Sequence, residues 1–490
     1  MYRYLVTAML LTYAILGIIN IYFGRLTSDE GWYLYVSNVV YSGTIPYRDF
    51  LFTQMPFVPY IYGLILNIVT PSLVVGRWLS FVFGLLSVAV ILSTFRVDKR
   101  AAAFAGLLLT MNLNFVFDTT ILKTQALTVF LTAVSMYFLS SRHNRPLLGL
   151  FFLNLTVFTR LSMLPALVLC WVYVVVTNRG HLKRNLFIAT GNAVLGMLIL
   201  VVLNRYTDGN FRFGVYTFHD AYFPNAEWST QTLVRFVVSV FKNQALITSA
   251  TLILGIVSCV KVIRLPYNDW QNKAQLFPVF AFLCWLTTTI VHATRTIPYA
   301  TYQTSNIIFA VATISPLLSS AVDGVVVRTR LAFVSIFLLL LISMPFQEYD
   351  IRLDGDGSVQ QYEAAVHRIQ TLKTSEARTI LTFNPELAAS SGLKLLPGYE
   401  MGAFSYFSRF DDCKSLKLKV KNSNGFAQDI ENRSADVIAL TGGNIILMLS
   451  NGDMTRAKRL FAWLQNGYRL EQRIRDYGQY SDTLYIYKKR

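Results

Sequence analysis

Residues 27–54 read TSDEGWYLYVSNVVYSGTIPYRDFLFTQ, and the reading of this stretch decides the rest of the chain. It follows an uncharged apolar run at 5–23 and holds Asp29, Glu30, Arg48 and Asp49 where carboxylates are otherwise scarce. Thr27-Ser28-Asp29-Glu30 has the form of a capping box, with a hydroxyl at the N-cap and a glutamate three residues on. Trp32, Tyr35, Val36, Val39 and Val40 then line one side of a short helix stopped near Gly43. An aromatic helix without a span-length run is expected to lie at the membrane interface. Whether its acids only cap it or also do chemistry stays open at this level.

Of the 490 residues, 54% are hydrophobic and 14% charged, against roughly 25% charged in an ordinary soluble domain. That is the composition of a polytopic membrane protein. Ten of the 27 acids and 24 of the 44 bases precede Gln347, leaving 17 and 20 after it. The expected division is therefore a membrane domain at 1–346 with net charge +14 and a soluble domain at 347–490 with +3. The bases sit in loops between apolar runs, where they set topology, so no nucleic-acid partner is implied. Cys170, Cys259 and Cys284 lie in apolar runs and Cys413 is alone in the tail, which gives neither a disulfide framework nor a zinc site. Met1 to Phe23 lacks a small-residue cleavage site and reads as a retained first span.

Uncharged runs near the roughly 17–25 residues needed to cross a bilayer occur at 5–23, 78–95, 101–117, 124–141, 161–178, 185–204, 243–260, 274–291, 300–320 and 331–347. A shorter run at 146–159 reads as one arm of a hairpin with the run that follows, giving about 11 transmembrane helices. The segment 50–76 is also uncharged, but Pro46, Pro56, Pro59 and Pro71 lie in or beside it. Basic loops decide its status. If it does not span, Arg96/Lys99/Arg100, Arg142/Arg145, Arg179/Lys183/Arg184, Lys261/Arg264/Lys273 and Arg328/Arg330 all fall on the cytoplasmic side. It is therefore expected to be re-entrant or interfacial, within one external loop at 24–76. The N-terminus is then cytoplasmic and the C-terminal domain extracytoplasmic, on a multi-pass protein of the cell membrane.

The same topology sorts the charges. Asp98, Asp269 and Asp323 lie in cytoplasmic loops, and Asp29, Glu30, Asp49, Asp118, Asp208, Asp220 and Glu227 lie outside. Arg48, Lys123, Arg160 and Arg295 lie outside too, each close to a span end. Anion binding at the membrane surface and snorkelling to the interface both account for cations there. The aromatics of the external loop 205–235 either rest at the interface, the favoured reading, or line a substrate groove. Beyond Gln347, strands at 377–384, 435–440 and 483–487 and helices at 359–371 and 455–465 indicate a small α/β domain.

An uncharged span followed by DEGWYLYVSNVVYSGTIPYRDFLFTQMPFVPYIYGL at 29–64 resembles the GT-C membrane glycosyltransferases. Within them it is most similar to the branch of protein mannosyltransferases and lipid A aminoarabinose or galacturonic acid transferases. The acidic pair Asp29-Glu30, the PYRDF turn at 46–50 and Gln54-Met55-Pro56 follow the family's order, with Met55 where a proline is common. Asp118 with Lys123-Thr124-Gln125 looks like the family's second external site, and Thr159-Arg160-Leu161 like a recurring turn. The likeness is strong to about residue 165 and holds only in layout afterwards. It implies transfer of a sugar from a polyprenyl-phosphate carrier to a hydroxyl acceptor, with inversion, on the external face.

Such chemistry needs a base facing the acceptor hydroxyl and a cation for the charge that develops on phosphate. Asp29 and Glu30 are the catalytic candidates, with Asp29 the base if the capping box holds Glu30. Arg48, helped by Lys123, Arg160 or Arg295, would take the carrier phosphate. Asp49 and Asp118 would support the acceptor or a divalent cation, or simply pair with Arg48 and Lys123; no cofactor is certain. A transporter or flippase of lipid-linked sugars and a non-catalytic transferase subunit are the other functions open to such a chain. For the topology, reporters placed after residue 76 and at the C-terminus are expected on the same external side; cytoplasmic labelling of residues 71–76 would overturn it.

Overall fold

The computed structural model describes residues 2–140, 143, 145–178, 180, 182–224, 228–266, 272–295, 298–322, 326–344, 347, 357–373, 377–449 and 454–490. Arg142, Arg179, Glu227, Asp269, Asp323, the side chain of Arg328 and the end of the 331–347 run around residue 346 lie outside the described residues. The chain is mainly helical, with a small C-terminal sheet. Its first helices are α1 (Tyr2–Phe23), α2 (Ser28–Val39), α3 (Phe57–Leu66), α4 (Leu73–Thr94), α5 (Lys99–Thr110), α6 (Leu113–Asp118), α7 (Thr124–Leu139), α8 (Pro146–Thr159), α9 (Leu164–Thr177) and α10 (Leu182–Tyr206). Thr230–Ile263, Lys273–Ala293, Ile307–Ala321 and Val326–Ser343 follow.

Among the described residues, six helices are long and apolar enough to cross a membrane, and five apolar helices are shorter. The segment 50–76 contains only the ten-residue α3, about 15 Å long at 1.5 Å per residue. That is half of a ~30 Å hydrocarbon core. Three expectations differ from the structure. The run 101–117 is two helices, because Asn112 leaves the helical conformation and its side chain accepts the Phe115 N–H at 2.9 Å. The run starting at 78 begins instead at Leu73 and takes Arg77 inside the helix. The run at 243–260 is part of a 34-residue helix with non-helical backbone at Gln244. In addition, α8 packs chiefly against the preceding α7, where Ser135 Oγ donates to the Gly149 carbonyl at 2.7 Å.

The chain forms two compact units. The first comprises 1–18, 80–201 and 224–349 and is a helical bundle. The buried alanines 101–103 and 105 leave α5 thin enough to lie close against helix Ile307–Ala321. Tyr13 is buried, stacked on Phe81 at 5.7 Å, with its hydroxyl 2.8 Å from Thr119 Oγ1. In contrast, the 18-residue apolar window of α10 is not buried at all.

The second unit joins 19–79 and 202–223 to 350–490. Hydropathy divides the chain near 346, but compaction groups residues 19–79 with the C-terminal segment. That segment has a five-stranded sheet in the order β2-β1-β3-β5-β4. The strands are β1 (Thr379–Thr382), β2 (Lys394–Leu395), β3 (Val437–Thr441), β4 (Tyr468–Tyr477) and β5 (Asp482–Lys489). β1 is parallel to β2 and β3, whereas β5 is antiparallel to both β3 and β4. Two aromatics of the 205–235 loop, Phe218 and Tyr222, pack here on the C-terminal segment. Phe218 lies 5.4 Å from Phe404, and the Tyr222 hydroxyl donates to the Ala403 carbonyl at 3.1 Å.

Candidate functional site

The residues singled out from the sequence fall into one group per unit. Asp29, Glu30, Arg48 and Asp49 belong to the second; Asp118, Lys123, Arg160 and Arg295 belong to the first.

In the second unit, α2 starts where the sequence places it. Glu30 Oε2 accepts the Thr27 N–H at 3.1 Å and the Thr27 hydroxyl at 3.2 Å, the reach-back half of a capping box. Ser28 is held from its N–H and its hydroxyl, both at 2.9 Å from Gln479 Oε1. Gly43, at φ 91°, ends the short 3₁₀ turn that follows α2. The helix is not amphipathic as expected: Glu30 through Ser37 are all buried, on every side. Phe52 lies edge-on to Trp32, and the Ser37 carbonyl approaches Gly63 of α3 so closely that a side chain there would collide with it.

Glu30 has a second partner. Arg77, fully buried, donates from Nε to Oε1 and from Nη2 to Oε2, both at 2.8 Å. Its Nη1 also donates to the carbonyls of Asn20, Ile21 and Gly24 at 3.0–3.2 Å, and Nη2 to that of Arg25 at 2.9 Å. A helix end leaves its last carbonyls without intrahelical partners and carries partial negative charge. One guanidinium therefore caps the C-terminus of α1 and neutralises the carboxylate at the N-terminus of α2. Asp29, the neighbour of Glu30 on the first turn, is only half-buried.

The PYRDF turn holds its charges outward. The Tyr47 N–H donates to the Phe50 carbonyl at 2.9 Å, with Tyr47 at φ 66°, a conformation that a bulky residue adopts only when its surroundings enforce it. They do so through a buried ring, edge-on to Phe52 at 5.6 Å and Phe211 at 5.1 Å, and a hydroxyl that donates to the Gln54 carbonyl. Arg48 and Asp49 form a two-pronged pair, Nε to Oδ1 and Nη2 to Oδ2, each 2.8 Å. Arg48 Nη1 donates to the Tyr206 hydroxyl at 2.7 Å. The guanidinium and the Ile45 N–H, 2.7 Å from Oδ2, hold Asp49 below the usual carboxylate range. The pair is partly open, 41% for the arginine side chain and 33% for the aspartate. Three of the five guanidinium N–H donors are thus engaged among the described residues, which leaves two for an anion.

In the first unit, Asp118 ends α6, is 1% exposed and accepts the Thr304 hydroxyl at 2.5 Å. Lys123 is half-buried at the N-cap of α7. Arg160 follows α8 and donates to Thr124 Oγ1 at 3.0 Å and Ser162 Oγ at 3.3 Å, with its guanidinium 4.8 Å from the Tyr302 ring centre. Ser162 Oγ also lies 3.0 Å from Nε2 of the buried His292, three residues before Arg295. Gln303, Thr304, Ser305 and Asn306 form a wholly buried polar run beside them. Among the described residues, no three His, Cys, Asp or Glu side chains converge to hold a metal ion.

Sequence reasoning missed Arg77, Tyr206, His292 and Gln479. Only Arg77 left a signal: an arginine beside an apolar run is costly in a membrane and asks for a partner. The others act through chain folding that no local pattern encodes.

No protein-family model matches the sequence, and no curated protein matches it. Among solved structures, the chain is similar to the crystal structure of ArnT from Cupriavidus metallidurans bound to undecaprenyl phosphate. The TM-score is 0.60 at 13% identity, over 99% of this chain and 97% of that one. The chain therefore shares the fold of this ArnT.

Removing one partner of a buried ion pair costs about 3–5 kcal/mol. Arg77→Met is expected to lower unfolding stability in detergent or lipid by that order. Arg77→Lys should not restore it, because an ammonium cannot reproduce the fork; full stability in the lysine variant would refute this role.

Proposed function

We propose that the protein is a membrane glycosyltransferase that moves a sugar from a polyprenyl-phosphate carrier to a hydroxyl acceptor on the external face, with inversion. The observation that carries the reading is Asp29: a half-buried carboxylate on the first turn of α2, whose neighbour Glu30 is locked by Thr27 and Arg77, on the fold of ArnT. That ArnT was crystallised with undecaprenyl phosphate supports a carrier of this class.

In the proposed step Asp29 takes the proton of the acceptor hydroxyl as its oxygen bonds to the anomeric carbon. The bond from that carbon to the phosphate oxygen breaks from the opposite face, and its electron pair leaves with the phosphate. Arg48 meets the developing charge with its remaining N–H donors, kept in place by Asp49 and Tyr206. Asp49 is thereby assigned to orienting Arg48. Glu30, with both oxygens engaged, is assigned to positioning α2 and not to proton transfer. Lys123, Arg160, Arg295 and Asp118 are proposed to bind polar groups of carrier or acceptor in their own unit.

General-base catalysis contributes roughly 10² to 10⁴ in rate. With a panel of polyprenyl-phosphate sugars and protein in lipid, Asp29→Asn is expected to lose transfer by that factor while still binding the carrier. Transfer at the wild-type rate would remove Asp29 as the base. Carrier movement across vesicles without any transfer would replace this reading with transport. Hydrogen bonds to a charged group contribute about 1.5–3 kcal/mol, so Arg48→Ala should raise KM for the donor on the order of 10- to 100-fold. An unchanged donor KM would remove Arg48 from the phosphate.

A further inference from the structure

The C-terminal segment presses a carboxyl group against α2. Glu386 lies on the first turn of the short helix Pro385–Ser391, which packs on α2. The approach is made at Gly31, two residues after Asp29. A β-carbon there would overlap Glu386 Oε2 and lie 2.9 Å from its Cδ. Glycine in a helix interior costs about 0.5–1 kcal/mol relative to alanine, and this close approach is what its presence accommodates. One helical turn on, the buried Tyr35 lies near another carboxyl, that of the buried Glu400. Residues four apart share a helix face, so one face of α2 is seated on two acids of the C-terminal segment.

The surroundings of Glu386 favour its neutral form. Oε1 accepts the Tyr477 hydroxyl at 2.8 Å. From α2 the group meets Glu30, whose charge is already shared with Arg77 of α4; from β4 it meets Tyr477, and from helix Val359–Leu372 it meets Tyr362. Burial first, and then the Glu30 charge, push the carboxyl up to about 7 against the Tyr477 hydrogen bond; burial pushes Glu400 up to about 7 as well.

We infer that Glu386 is a positioning residue that seats α2, and with it Asp29, as a neutral carboxylic acid, and that ionisation of Glu386 unseats the helix. The neutral acid lies against the Gly31 backbone at little cost. An ionised one would lose part of its hydration against a buried helix face, beside a second carboxylate. The seated form holds its proton more tightly than the open form. The seat is therefore firmest below the ordinary glutamate range near 4.5, weakens as pH rises toward about 7, and levels off above it. The consequence for catalysis rests on Asp29 being the base; the seat itself does not.

Hydrogen exchange of residues 28–39 in the full-length protein in lipid nanodiscs tests this, read at pH 6 and pH 8 and corrected for intrinsic exchange. In the wild type, protection of α2 is expected to fall roughly tenfold over that interval. Glu386→Gln should keep it at both values, and Gly31→Ala should show low protection at both. The wild-type transfer rate should fall on the alkaline side, and that fall should be missing from Glu386→Gln. Protection independent of pH in the wild type, or the same fall in Glu386→Gln, would overturn the inference. The expected exchange pattern without transfer from any donor would leave the seat standing and remove the glycosyltransferase reading.

Discussion

The charge balance inside the second unit rests on one buried guanidinium. An arginine without exposure is tolerable only when its donors are satisfied and its charge is met. Arg77 meets both conditions at once, with four backbone carbonyls around the end of α1 and both oxygens of Glu30. The two helix termini it joins have opposite dipole signs, so the cation lies against the negative end of α1 and its acid sits on the positive end of α2. The angle at which the chain leaves α1 and enters α2 follows from these contacts. So does the place of Asp29, one residue from the carboxylate so held.

Adjacent acids thereby receive different environments. Glu30 is 1% exposed and bonded through both oxygens, while Asp29 keeps contact with solvent. Consecutive helical residues point about 100° apart, so a two-residue acidic motif divides into one inward and one outward group without further design. The arrangement at Arg48 and Asp49 is the reverse, two charges turned outward on a strained turn whose tyrosine is the buried anchor. In both places a buried neighbour fixes what the exposed charge can do.

Much of this was legible in the sequence because it is local. A capping box, a terminating glycine and a proline-framed turn are encoded within a few residues, and α2, Gly43 and the Arg48–Asp49 pair are found accordingly. Span-length hydropathy likewise points to the helical class, and the basic loops to 50–76 as a segment apart from the spans. Three kinds of information were not local. The break at Asn112 hides in an uncharged run, because an asparagine cap costs nothing in a charge count. β4 was missed because its apolar positions, Tyr468, Leu470, Ile474 and Tyr477, lose the two-residue period across register shifts. The burial of α2 on all sides depends on residues more than three hundred positions away. Gly31 could not be interpreted before Glu386 was found against it.

The Arg77–Glu30 pair also has a meaning for how the protein is made. An arginine near the centre of an inserting helix is disfavoured by roughly 2.5–3.5 kcal/mol, and α4 carries one in its second turn. Chains emerge from the ribosome N-terminus first, so Glu30 and the end of α1 are already made when Arg77 appears, 47 residues after its acid. The partner exists before the charge that needs it.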